Sequence, residues 1–251
     1  GHTMKRLIIF LYGIGSYAVF FATFLYAIGF VGNLPMLPRT IDGTPQIPFG
    51  NALVIDVLLL AVFAIQHSVM ARPAFKAQWT RIIPEAAERS TYVLFSSLAL
   101  IALFYFWQPL GGVIWEIENR SGRLLLNAGF GFGWALVLYS TFLINHFDLF
   151  GLRQVWQQFI GRAERGHAFV TPLLYRLVRH PLYLGFILAL WGGPTMTVGH
   201  ALFAGALTAY ILVAIRFEER DLMRQLGEPY VAYRQRVPML VPFMGRRPKA
   251  L

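Results

Sequence analysis

Arg179, His180, Pro181, Leu182 and Tyr183 stand in a row where the chain enters a long apolar run, and Arg216, Glu218, Glu219 and Arg220 stand where that run ends. Gln66 and His67 close an earlier apolar segment, and Asn145, His146 and Asp148 close another. A helix entering lipid needs no guanidinium, imidazole or phenol at its threshold. Such a group either anchors the chain at the interface or holds a polar ligand there. Each group also has a plain structural reading. His67 and His146 can bond backbone carbonyls at an interface, and the charges at 216–220 can form a snorkelling, salt-bridged helix end. Ionisable groups at membrane depth are costly, however, and face a cavity or a partner. Four such groups in one chain are harder to dismiss than one.

The elements that must position these residues are oily. Of 251 residues, 57% are hydrophobic and 14% charged, against roughly 25% charged in a soluble domain. Much of the surface must therefore face something other than water. A net charge of +10 does not point to nucleic acid, because the charges lie between apolar segments rather than in one basic domain. The absence of cysteine excludes disulfides, thiolate metal sites and a cysteine nucleophile. Gly1-His2-Thr3 ahead of Met4 reads as an added remnant. Crossing a bilayer takes about 20 apolar residues as a helix, and 7–31, 51–70, 91–110 and 124–146 meet that standard. The first is too long for a signal peptide and has no small-residue cleavage site after it. The block 182–217 is interrupted by Gly192-Gly193-Pro194 and Gly199, which predicts a hairpin of two spans. The expectation is an all-α, polytopic membrane helical bundle of five to six transmembrane helices. It ends in a helical hairpin and a tail, and forms a single domain over 1–251.

Lysine and arginine give the orientation. Two precede the first span, four lie in the second loop, five in the fourth (Arg165 among them) and eight from Arg216 onward, the last being Arg246, Arg247 and Lys249. The other side holds one, two and none. The positive-inside rule therefore puts both termini in the cytoplasm of a bacterial inner membrane. On that topology all four polar ends are expected in one leaflet. Asp56 alone stands inside a span, near its outer half. Gly129, Gly131 and Gly133 lie in an apolar span with no preceding strand, so they predict close helix packing rather than a nucleotide loop. Trp107, Trp115, Trp134 and Trp191 read as interfacial or packing residues.

"RHPLYLG" at 179–185, the hairpin, and "RFEERDLMRQLGEPYVAYRQRVP" at 216–238 resemble the isoprenylcysteine carboxyl methyltransferase family of integral membrane enzymes, which use S-adenosylmethionine. "FAIQHSVMARPAFK" at 63–76, "ERSTYVLFSSLALIALFYFWQPL" at 88–110 and "INHFDLFGLRQV" at 144–155 are similar to a narrower bacterial branch that methylates a small thiol, methanethiol, to dimethyl sulfide. The resemblance implies that 170–240 holds the cofactor, S-adenosyl-L-methionine. Arg179 and His180 would bind its carboxylate, and Glu218 and Glu219 its ammonium or a ribose hydroxyl. Pro181 and Leu182 would aim the first-turn N–H groups. Tyr183, Tyr230 and Tyr233 would supply aromatic faces and hydroxyls, with Arg216 beside them. A thiol is mostly protonated at neutral pH and reacts as thiolate, so His67 or His146 is the expected base and Gln66 or Asn145 its orienter. The expected partners are the small thiol and the lipid bilayer, with no nucleic acid and no resident metal. A prenylcysteine or other lipid-like acceptor, and a non-enzymatic transporter or accessory role, remain as alternatives at this point.

Overall fold

The computed structural model describes residues 1–162 and 173–244, so Arg165, Arg246, Arg247 and Lys249 of the charge count lie outside the described residues. The helices are α1 (His2–Val31), α2 (Phe49–Val69), α3 (Pro73–Trp79), α4 (Glu85–Phe106), α5 (Arg120–Ile144), α6 (His146–Leu149), α7 (Leu152–Phe159), α8 (Pro181–Trp191), α9 (Val198–Leu226) and α10 (Glu228–Arg236). A single 3-10 turn, Leu173–Arg176, precedes α8, and two short strands, β1 (Val113–Glu116) and β2 (Thr195–Thr197), form a small sheet. Helices α1, α2, α4, α5 and α9 are long and apolar enough to cross a bilayer. The protein is a polytopic helical membrane protein.

The block 182–217 does not divide into two equal spans. Its first arm, α8, has 11 residues, or roughly 16 Å at 1.5 Å per residue, about half the hydrocarbon thickness. Its second arm has 29 residues and carries the crossing. Residues 192–197 between them are non-helical or strand, and the Ile117 N–H donates to the Pro194 carbonyl at 2.9 Å. Such pairing satisfies backbone that has left a helix near lipid.

The contacts group the chain into two compact units. The first comprises Gly1–Ile114, the stretch from Asn145 and Thr197–His200. Within it α4 packs against α1 and α2, and α7 packs against α1. Ile9, Ala87 and Val155 form a small core there, and the Phe30 and Phe104 rings stand 4.7 Å apart. On α2, Val54, Val57, Leu58, Val62 and Ile65 are exposed, an apolar stripe that only lipid would cover without penalty. Asp56 is fully buried and accepts the Gln108 N–H at 2.8 Å. This supplies the partner that the sequence leaves open.

The second unit comprises Trp115–Ile144, the stretch to Met196 and the chain from Ala201. Its described core is the packing of α5 on α8. A Cβ added to Gly133 would lie 2.6 Å from the Ala189 nitrogen and 2.8 Å from the Gly185 carbonyl oxygen, and one on Gly185 would lie 2.8 Å from the Gly133 oxygen. Only paired glycines allow backbones this close. Gly129 and Gly131 have nothing within 4 Å of such a Cβ, so of the three glycines one alone makes the contact. Trp134 sets its ring edge-on to Phe186, and Trp191 donates to Thr208 at 2.9 Å.

Candidate active site

In the second unit the chain before α8 is gathered onto α9 and α10 by one carboxylate. Glu219 of α9 is 4% exposed. Its Oε1 accepts from Arg179 Nε at 2.8 Å and from His180 Nε2 at 2.7 Å, and its Oε2 pairs with Arg234 Nε at 3.0 Å. A buried carboxylate demands such partners, because an unpaired charge away from water is prohibitively costly. Arg179 reaches further. Its Nη1 donates to the carbonyls of Arg234 at 3.1 Å and Val237 at 2.7 Å, the acceptors left over at the end of α10. The Arg179 and His180 N–H groups bond the carbonyls of Pro238 and Met239.

The Gly-x-x-Tyr-x-x-Tyr tail explains this docking. Gly227 breaks α9 from α10 at φ 65°, ψ −137°, a conformation open to glycine and strained for other residues. Tyr230 and Tyr233, three apart on α10, then share a face and join Val237 in a core covered by Leu222, Met223 and Leu226. Tyr233 donates to the Tyr175 carbonyl at 2.5 Å. Burial pushes the Tyr233 phenol up to about 12 and raises Tyr175 and Tyr230 as well. These phenols therefore stay protonated at neutral pH. At 2% and 4% exposure, neither Tyr230 nor Tyr233 presents an open ring face.

The open edge of the cluster is made of other residues. Tyr183 donates to Glu218 Oε2 at 2.9 Å, and Glu218 itself is exposed. Arg216, two residues before Glu218, is exposed on another side of α9, and Leu182 is half-buried on α8. Pro181 is buried at the first position of α8, where its missing N–H costs nothing. His180 caps α8 by backbone only, without a side-chain bond to the first turn. Residues 179–183 and 218–219 are thus brought together, with Tyr230 and Tyr233 behind them.

In the first unit the expected proton-handling residues occupy two places. Gln66 Nε2 and His67 Nδ1 both reach Ser96 Oγ, at 3.2 and 3.0 Å. The Tyr92 hydroxyl donates to the His67 carbonyl, and the His67 ring stacks on Phe63 and Tyr92. His146 is 2% exposed and bonds the Tyr17 hydroxyl through Nε2 at 2.6 Å, ringed by Phe20, Phe147 and Phe150. Burial lowers the His146 pKa, so its imidazole is neutral. The helix expected to run to His146 stops at Ile144. Asn145 instead caps α6 by accepting the Asp148 N–H at 3.2 Å, so its amide is turned to its own helix. A cleft of about 590 Å³ opens in this unit beside Lys76, Glu88, Arg89 and Asp148, but neither imidazole lines it.

Sequence reasoning passed over Arg234, Ser96, Tyr92 and Tyr17. Arg234 sits inside the tail motif, one residue after Tyr233, and that adjacency was its only signal.

Comparison with known proteins gives the family. The isoprenylcysteine carboxyl methyltransferase (ICMT) family matches residues 134–224, which hold Arg179 through Glu219. A methanethiol S-methyltransferase of Crocosphaera subtropica is 52% identical over 97% of this chain and 95% of its own. One of Mycobacterium tuberculosis is 52% identical over 97% and 99%, and one of Bradyrhizobium diazoefficiens 54% identical over 96% and 93%. No solved structure matches. With identity above one half sustained across nearly the whole length, the chain belongs to the methanethiol S-methyltransferase family of membrane methyltransferases.

Proposed function

We propose that the protein moves the methyl group of S-adenosyl-L-methionine to the sulfur of methanethiol, giving dimethyl sulfide at the cytoplasmic face of a bacterial membrane. The observation that carries the substrate is the near-full-length identity to proteins of that name. The donor brings a sulfonium-bound methyl, together with a carboxylate, an ammonium and ribose hydroxyls. The residues at the open edge of the second unit suit those groups. Glu218 is an exposed acceptor for the ammonium or a hydroxyl, with Tyr183 fixing its direction. The start of α8, at Pro181 and Leu182, lacks a side-chain cap, which suits a carboxylate at the positive end of the helix. Arg179, His180, Glu219, Tyr230 and Tyr233 form the frame behind this edge.

The chain must also help the acceptor to lose a proton, because the thiolate is the nucleophile. His67 and His146 are the imidazoles offered for this. His146 is held neutral by burial and so can accept a proton, while Ser96 orients His67. Ordering of reactants is a large resource in a displacement of this kind, worth up to about 7–11 kcal/mol.

The test is a product assay. Purified protein is given methyl-labelled donor with methanethiol, longer thiols or a prenylcysteine in turn. Labelled dimethyl sulfide from methanethiol, with little transfer to prenylcysteine, is the expected result. Transfer to prenylcysteine alone would replace the small-thiol reading with a lipid-substrate one.

A further inference from the structure

The two adjacent glutamates of α9 have opposite surroundings. Glu219 is buried with both oxygens engaged, by the Arg179, His180 and Arg234 side chains. Glu218 is exposed and reaches a single phenol. We infer that Glu219 and Arg234 are positioning residues, latching the arm formed by α10 and residues 237–239 onto the first residues of α8, and that Glu218 alone of the pair faces a ligand. This rests on the donor site proposed above and divides the labour within it.

A ligand ammonium could reach Glu219 only by displacing a cation already held, and Arg179, 10% exposed, would then be left buried without its counter-charge. Glu219 and its partners come from three different parts of the unit. Arg179 and His180 precede α8, Glu219 lies on α9, and Arg234 closes α10. The carboxylate is therefore a three-way junction. Gly227 turns the chain back, the Tyr230–Tyr233 face seats α10, and Arg234, the residue after Tyr233, arrives at Oε2. Arg179 holds the other end of the arm through the Arg234 and Val237 carbonyls. Since the Arg179 and His180 N–H groups are given to Pro238 and Met239, the arm also fixes where α8 begins, and with it the turn that carries Tyr183. Arg234 is 47% exposed on its side chain, so it can be altered without opening the core.

Hydrogen exchange over 227–239, calorimetric binding of S-adenosylmethionine and turnover with methanethiol would be measured for the full chain and for Glu218→Gln, Arg234→Gln, Arg234→Lys and Glu219→Gln. Glu218→Gln is expected to weaken donor binding at least tenfold while exchange in the arm stays as in the parent. Arg234→Gln is expected to speed exchange in the arm tenfold or more and to lower turnover, and Arg234→Lys to restore most of both. If Arg234→Gln leaves exchange and turnover unchanged, there is no latch. If Glu218→Gln and Glu219→Gln weaken binding equally with the arm still protected, both glutamates touch the donor and the division fails. Should the parent bind no donor, the methyltransferase reading fails instead, and exchange in Arg234→Gln still reports the latch on its own.

Discussion

Glu219, 5% exposed on its side chain, holds one negative charge among Arg179, His180 and Arg234, and such a junction is fragile to loss of any one member. Removing one partner of a buried ion pair costs about 3–5 kcal/mol, so Glu219→Gln should lower the unfolding temperature of the detergent-solubilised protein markedly. Glu218→Gln, on the exposed neighbour, should hardly move it. His146 carries a pH dependence of known sign. Its folded pKa lies below the ordinary value because burial penalises the imidazolium. The unfolded chain therefore takes up the proton first as pH falls, so stability is full above about 6.5 and declines beneath it. Unfolding temperatures measured from pH 8 to pH 5 should fall on the acid side, and His146→Gln should remove part of that slope. Tyr17→Phe leaves Nε2 without its phenol and should cost about 1–2 kcal/mol at neutral pH.

At the scale of elements, the α5–α8 contact gives a paired test. Gly133→Ala puts a methyl against backbone on α8 and should destabilise by about 1–3 kcal/mol through overpacking. Gly131→Ala enters open space on the same helix and should stabilise by about 0.5–1 kcal/mol through helix propensity. Thermal unfolding of the two variants separates them. The same contact shows what a sequence can and cannot reveal. The four longer spans were legible because a bilayer imposes a length and a composition on every crossing. Gly133 read correctly as a packing residue, but Gly129 and Gly131 look identical in the sequence and differ only in what faces them. The break after Ile144 was hidden because Asn145 and His146 look like the polar end of a continuing helix, and only the cap to Asp148 reveals it. At the site, Arg179, His180, Tyr183 and the glutamates stand out as polar side chains beside an apolar run. Ser96 and Tyr17 lie inside apolar spans beside Ser97 and Ser16, from which only tertiary contact to His67 and His146 distinguishes them, and no spacing rule marks them.

For the whole molecule, orientation is the claim most exposed to experiment. The chain contains no cysteine, so single thiols can be introduced and labelled without background. Gln78→Cys on α3 should be shielded in intact cells from a membrane-impermeant maleimide, and Gln46→Cys, in the first loop, should be labelled. The reverse pattern would invert the topology and place the proposed donor edge on the wrong face. The short α8 has a consequence for how the molecule is made. Eleven apolar residues are too few to be held by a bilayer alone, so α8 must insert together with α9 as one unit. Glu219 and Arg234, which secure the beginning of α8, are then synthesised after the segment they secure. A nascent chain therefore gains its donor grip only as its last helices emerge, and ribosome-bound intermediates halted before Glu219 should be devoid of it.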